Sequence, residues 1–229
     1  MHYRIVRDIP RPSDADLAAL REVPTTGLAG PDAFGAGVAM DWQIKPLQRG
    51  VRVCGPAFTA KPDGIDHLIP LYAATLLAPG DVLVVDGGGR TDCALFGAGM
   101  THTARLRGAA AIVIDGLIVD HDSIAALPIP VFCRGAHPGW STMERPGWIN
   151  VPVRCGGRLV SPGDLIHGDS DGVIVIPRER IPEAVEHARR YREQLAQWRA
   201  QVATGRTFFE ILGLDAAIAR LAIPEEAHS

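Results

Sequence analysis

The sequence predicts an α/β fold built around a central βαβ unit, and three observations predict it. Val82 to Val85 is a short apolar run that stops at Asp86-Gly87-Gly88-Gly89, as a buried strand does when it runs into a forced turn. Ala110 to Ile114 is a second such run and stops at Asp115-Gly116. Between them, Ala94 to Arg107 is rich in Ala, Leu and Met and has the length of a helix. Strand, Gly-rich loop, helix and strand make one βαβ unit.

Such units leave backbone amides and side chains facing a shared crevice where strands end and helices begin. Gly97-Ala98-Gly99-Met100 lies near the helix start, and Asp115 and Asp120 follow the second strand. The stretch therefore offers amides to a small anion and carboxylates to a cation.

The remaining elements follow from local chemistry. Ser13 with Asp16 opens a short helix over Asp14 to Glu22, which Pro24 ends. Thr25 to Gly50 is Gly-rich and reads as loop, with Asp32, Asp41 and Lys45 as turn and surface residues. Val51 to Ala60 reads as a strand kinked at Gly55-Pro56, and Ile65 to Leu77 as an apolar helix. Pro79-Gly80-Asp81 and Pro162-Gly163-Asp164 are one turn chemistry used twice, the second ahead of a strand at Val173 to Ile176; their surroundings differ too much for a repeat. Pro128 to Val160 reads as irregular β structure with short strands at Val131-Phe132 and Val151 to Val153. Glu183 to Val202 is the clearest helix. Ala184, Ala188, Tyr191, Leu195, Trp198 and Val202 share one of its faces, suited to core packing or to a subunit contact. The tail, Pro224 to Ser229, is expected to fray. The expected organisation is a single domain over 1–229: a peripheral helix region in 1–24, an α/β core in 25–180 and C-terminal helices in 181–223.

Composition narrows the function. The 229 residues, 47% of them hydrophobic, suffice for a substantial core. With 23 Lys and Arg against 26 Asp and Glu, the net charge of −3 provides no attraction to nucleic acid or to an anionic membrane. Cys54, Cys93, Cys133 and Cys155 contain no CxxC pair, which argues against a zinc ribbon and a disulfide scaffold. The N-terminus lacks the apolar core of a signal peptide and no 18-residue apolar run occurs, so a cytoplasmic protein is expected.

Several segments together resemble a known family. IKPLQRGVRVCGPAFTA, PGDVLVVDGGG, GAAAIVIDGLIVD, IPVFCRG and NVPVRCGGRLVSPGDLIHGDSDGVIVIP are similar, in order, to proteins related to regulator of ribonuclease activity A. That group includes the metal-dependent 4-hydroxy-4-methyl-2-oxoglutarate and 4-carboxy-4-hydroxy-2-oxoadipate aldolases. The resemblance implies an αββα sandwich of the swivelling phosphohistidine-domain type, assembled as homotrimers or homohexamers with sites at subunit interfaces. It implies a 2-oxo acid bound on the amides of Gly97, Ala98, Gly99 and Met100, and a Mg²⁺ or Mn²⁺ ion on Asp120. The reaction it implies is retro-aldol cleavage of a 4-hydroxy-2-oxo acid to release pyruvate, with oxaloacetate decarboxylation beside it. Glu193 matches a glutamate that the family draws from a neighbouring subunit.

Two positions depart from the pattern. Val119 stands where the family has its substrate-binding Arg, and Ala98 where it has an acidic residue. A guanidinium forks onto a carboxylate or a developing oxyanion and a Val side chain does not, a loss of about 10² to 10³ in rate. Arg90, Arg105 and Arg134 are the candidate replacements, with His102 near Arg105, and His121 is a candidate extra metal ligand beside Asp120 and Asp122. The departures also define the rival expectations. One is a non-catalytic regulator that binds a protein such as an RNA-degrading endonuclease; the other is a related enzyme with a different substrate.

Overall fold

The computed structural model describes residues 2–222, so the tail Pro224 to Ser229 lies outside it. The chain divides into two compact units, Met1–Ala188 and Arg189–Ser229. The first is a mixed α/β unit organised on a nine-stranded sheet. Its middle is parallel: Val53–Pro62, Val82–Val85, Ala111–Ile114 and Val131–Cys133 lie side by side, with Leu83 against Phe58 and Ile112. Gly147–Ile149 and Leu165–Asp169 add antiparallel to Val53–Pro62, Arg4–Ile5 and Gly172–Ile176 extend those two, and Lys45–Pro46 closes the far edge.

Alternation along the central strands explains why they read as unbroken apolar runs. Leu83, Val85, Ile112 and Ile114 face one core, shared with Ile69, Ala73, Met100 and Ala104 of the helices Leu68–Leu76 and Ala98–Leu106. Val82, Val84, Ala111 and Val113 face the other, shared with Met40, Ile44, Val153, Ile166 and Val175. A strand covered on both faces has no polar side to alternate with.

The repeated turns form as their sequence suggests. Gly80 and Gly163 sit at φ +87° and +86°, the left-handed region that the third position of a type II turn demands. Asp81 and Asp164 each receive an amide from three residues upstream, Ala78 and Ser161, both at 2.8 Å. All four cysteines are free and buried; burial pushes the Cys54 thiol up to about 12 and Cys133 up to about 11.

Three expectations need correcting. Ala94 to Arg107 is not one helix: Ala94–Phe96 is a strand, and the helix begins at Ala98. Thr25 to Gly50 contains a helix at Thr25–Ala29, a 3₁₀ turn and the edge strand Lys45–Pro46. The strand at Gly55-Pro56 is continuous and exchanges partners there, from Leu165–Asp169 to Val82–Val85, so Pro56 interrupts no single ladder.

The second unit holds most of the Ile181–Ala203 helix and the short helices Phe208–Ile211 and Asp215–Leu221. Within it Trp198 meets Phe208 edge-on at 5.2 Å, and Thr207 with Glu210 forms a reciprocal cap.

Candidate active site

A second, smaller sheet builds the site. Ala94–Phe96, Leu117–Ile118 and Gly135–Ala136 are parallel, with Leu117 as the middle partner of Ala94 and Gly135. The chain leaves each strand at the same edge, with Val119 N–H donating to Phe96 O and His137 N–H to Ile118 O, both at 2.9 Å. Parallel strands present their carboxyl ends together, and that edge is where α/β folds collect ligand-binding residues. Gly97, Val119-Asp120 and His137 therefore come from three distant segments to one place.

Asp120 is positioned from both sides. Its backbone is left-handed, at φ 57°, which Asp tolerates better than most residues. Its Oδ2 accepts the Ala98 amide at 3.1 Å, capping the Ala98–Leu106 helix from outside. The amides of Gly99 and Met100 have no acceptor among the described residues, while Thr101 N–H begins the helical ladder to Gly97 O. Gly97 is required by crowding: a Cβ there would lie 2.7 Å from Trp140 Cη2 and 2.9 Å from a Val119 methyl.

Val119, Asp120, Ala136, His137, Pro138 and Trp140 line an open cleft of about 370 Å³. Trp140 is placed by tilted stacking on His67 at 5.3 Å, and the next residue, Ser141, bonds the His67 ring at 3.0 Å. The loop beyond is clamped by the fully buried Asp66, which accepts from Glu144 N at 2.7 Å, Thr142 Oγ1 at 2.8 Å and Arg145 N at 3.0 Å, with Leu68 N on its other oxygen. Burial alone would push the Asp66 carboxyl up, but these donors outweigh it and hold it below its ordinary value. A depressed carboxyl stabilises the fold above its unfolded pKa of about 4, and that contribution disappears as pH falls through the folded value. The stability gap between wild type and Asp66→Asn should thus narrow steadily below about pH 5 in urea titrations followed by circular dichroism.

The other expected site residues are distributed less favourably. Asp115 is spent: its Oδ1 accepts Arg134 Nε at 2.6 Å and its Oδ2 accepts the Gly156 amide at 2.8 Å, so it offers no cation site beside Asp120. Arg134 also donates to Asp41 and Gln43, both at 2.8 Å. The Gln43 amide and then Arg134 hold the Asp41 carboxyl below its ordinary value. Arg90 forks onto Asp92, with Nε donating at 2.9 Å. His121 opens the helix His121–Ala125 and bonds Asp122 at 3.0 Å. Glu193 pairs with Arg189 one turn back on its own helix. No cluster of three or more His, Cys, Asp or Glu side chains suited to a metal occurs among the described residues.

His137 and Trp140 were not singled out from sequence. Both follow a strand of only two residues inside a Pro- and Gly-rich stretch, where no periodicity marks a strand.

Comparison with known proteins agrees with this architecture. Residues 25–175 match the RraA-like family profile, described as Aldolase/RraA. A Halalkalibacterium halodurans protein named "Putative 4-hydroxy-4-methyl-2-oxoglutarate aldolase" is 38% identical over 174 residues, 76% of this chain and 82% of that one. The crystal structure of Streptomyces coelicolor RraAS2, titled an unusual member of the RNase ES inhibitor RraA protein family, superposes with a TM-score of 0.74 at 27% identity. That match covers 84% of this chain and 99% of RraAS2. The RNA-processing inhibitor RraA from Thermus thermophilis superposes at 0.62 with 29% identity, over 68% and 93% of the two chains. With two thirds of its length matched by one profile and its fold shared with these structures, the chain belongs to the RraA-like (Aldolase/RraA) family.

Proposed function

We propose that the chain is a divalent-metal-dependent lyase that cleaves a 4-hydroxy-2-oxo acid by a retro-aldol reaction and releases pyruvate, with oxaloacetate decarboxylation as a companion activity. The observation that carries this reading is Asp120 beside the Gly99 and Met100 amides: a carboxylate and two unengaged anion donors at one helix start. A cation in such a corner would offset the repulsion between two anions, the Asp120 carboxylate and a 2-oxo acid.

The residues present fit a hard divalent ion. Such ions take oxygen ligands, keep several waters and need only one or two protein carboxylates, and the Ala98 amide is the only hydrogen-bond partner of the Asp120 carboxylate among the described residues. Asp120 would hold Mg²⁺ or Mn²⁺, which when bound supplies Lewis-acid stabilisation of charge developing on the 2-oxo oxygen. The Ala98 amide orients Asp120. The Gly99 and Met100 amides receive the substrate carboxylate, favoured by the helix dipole. Val119, Pro138 and Trp140 give the cleft an apolar wall beside Asp120. The same reading entails the αββα sandwich and a cytoplasmic homotrimer or homohexamer in which Glu193 of a neighbouring copy reaches the cleft.

Pyruvate release from oxaloacetate and from the two branched hydroxy-oxo acids tests it. Release is expected with Mg²⁺ or Mn²⁺ and is expected to vanish with a chelator. No release from any of them, together with no Mg²⁺ binding by calorimetry, overturns the reading. It would leave the second one, a non-catalytic regulator of an RNA-degrading endonuclease, which the Val119 and Ala98 replacements and the inhibitor titles of the structural relatives favour.

A further inference from the structure

We propose that His137 donates a hydrogen bond from Nε2–H to the reacting oxygen of the substrate in the Asp120 cleft, a role that rests on the lyase reading above. The topology places it there. His137 follows the third strand of the small parallel sheet as Val119 and Asp120 follow the second and Gly97 the first, and it lines the same cleft as Asp120.

Its ring is set for donation. The Gly139 amide donates to His137 Nδ1 at 2.9 Å, so that nitrogen's lone pair is occupied and the neutral ring carries its proton on Nε2. No other hydrogen bond to the ring occurs among the described residues. The side chain is half-buried, close enough to water to admit a ligand and sheltered enough for the bond to matter.

The other side-chain donors are occupied or badly placed. Val119 has none. Trp140 turns Cη2 toward Gly97, so the benzo edge of the indole and not Nε1 faces the amide loop. Arg90 is held by Asp92, and Arg134 by Asp115 and Asp41. Arg105 lies seven residues beyond Ala98 on the same helix, about 10 Å along its axis. Among the residues that line the cleft, His137 is the ring donor placed to stabilise an oxyanion at the strand edge.

Ring-nitrogen NMR of ¹⁵N-histidine protein tests this without turnover. In wild type the His137 resonance should report the Nε2–H tautomer, and it should move when oxalate, a flat mimic of the enolate, is added with Mg²⁺. His137→Gln identifies the signal. His137→Ala should bind Mg²⁺ within twofold of wild type, bind oxalate roughly 10-fold more weakly and lose about 100-fold in kcat for pyruvate release. Val119→Arg added to His137→Ala should recover at least about 10-fold of that rate, since a guanidinium then supplies the donor from the adjacent strand end. A ring signal that ignores oxalate, with His137→Ala within twofold of wild type in oxalate affinity and rate, overturns the proposal and leaves the lyase standing. A wild type that binds neither Mg²⁺ nor oxalate and releases no pyruvate overturns both.

Discussion

Asp120→Asn is expected to remove metal-dependent pyruvate release, by about 10³-fold or more, while changing the urea midpoint little. The two effects separate because Asp120 has two duties. Its backbone sits in the left-handed region, which Asn occupies as readily as Asp, and an Asn amide oxygen still accepts from Ala98 N–H. Folding should therefore differ by less than about 1 kcal/mol. The negative charge, however, is gone, and with it the ligand for a hard cation. Asp120→Ala should lose the same activity and add a stability cost of about 1–2 kcal/mol, since Ala is strained at φ 57° and the helix start loses its acceptor. Calorimetry with Mg²⁺ provides the independent readout. Turnover and Mg²⁺ affinity that survive in Asp120→Asn would remove Asp120 from the chemistry.

The largest stability effect is expected at Arg134, which the fold ties to Asp115 and Asp41. Its side chain is 10% exposed, and the guanidinium bridges the Asp115 side chain, 7% exposed, to Asp41. Truncation to Ala strands the Asp115 carboxylate in the interior with only the Gly156 amide, a loss of about 3–5 kcal/mol in unfolding free energy. Removing both members of a buried pair costs less than removing one, so Arg134→Ala/Asp115→Asn should be more stable than Arg134→Ala alone. The pair also lies where the main sheet passes into the small one: Asp115 follows the main-sheet strand Ala111–Ile114, and Arg134 N–H donates to Gly116 O just before Gly135–Ala136 begins. Pyruvate release should fall with stability in Arg134→Ala and recover partly in the double variant. A midpoint within about 0.5 kcal/mol of wild type would show that the bridge contributes nothing net.

The candidate replacements for the Arg expected at 119 show where sequence reasoning runs out. Arg90 and Arg134 were sensible choices by charge, yet each is tied to a carboxylate that lies nearby in the fold. For Arg90 the partner is two residues away and visible in the sequence; for Arg134 one partner is 19 residues away and the other 93. Asp115 misled for the same reason, since a carboxylate after a strand looks available until its guanidinium and amide partners close on it.

What the sequence by itself determined were the features written in a single segment. The buried strands at Val82–Val85 and Ala111–Ile114, the Gly80 and Gly163 turns, and the long helix at Ile181–Ala203 each follow from a contiguous run, a left-handed glycine or a helical period. The glycines near the helix start and the position of Asp120 after the second strand were likewise legible from the order of the residues, while their reading as a substrate and metal site came from the family resemblance. The tertiary structure alone decided the small three-stranded sheet, the entry of His137 and Trp140 into the cleft and the withdrawal of Asp115 from it. Strands of two or three residues bury too little to announce themselves, and they exist only because strand ends about 20 residues apart find each other's amides when the main sheet brings them to one edge.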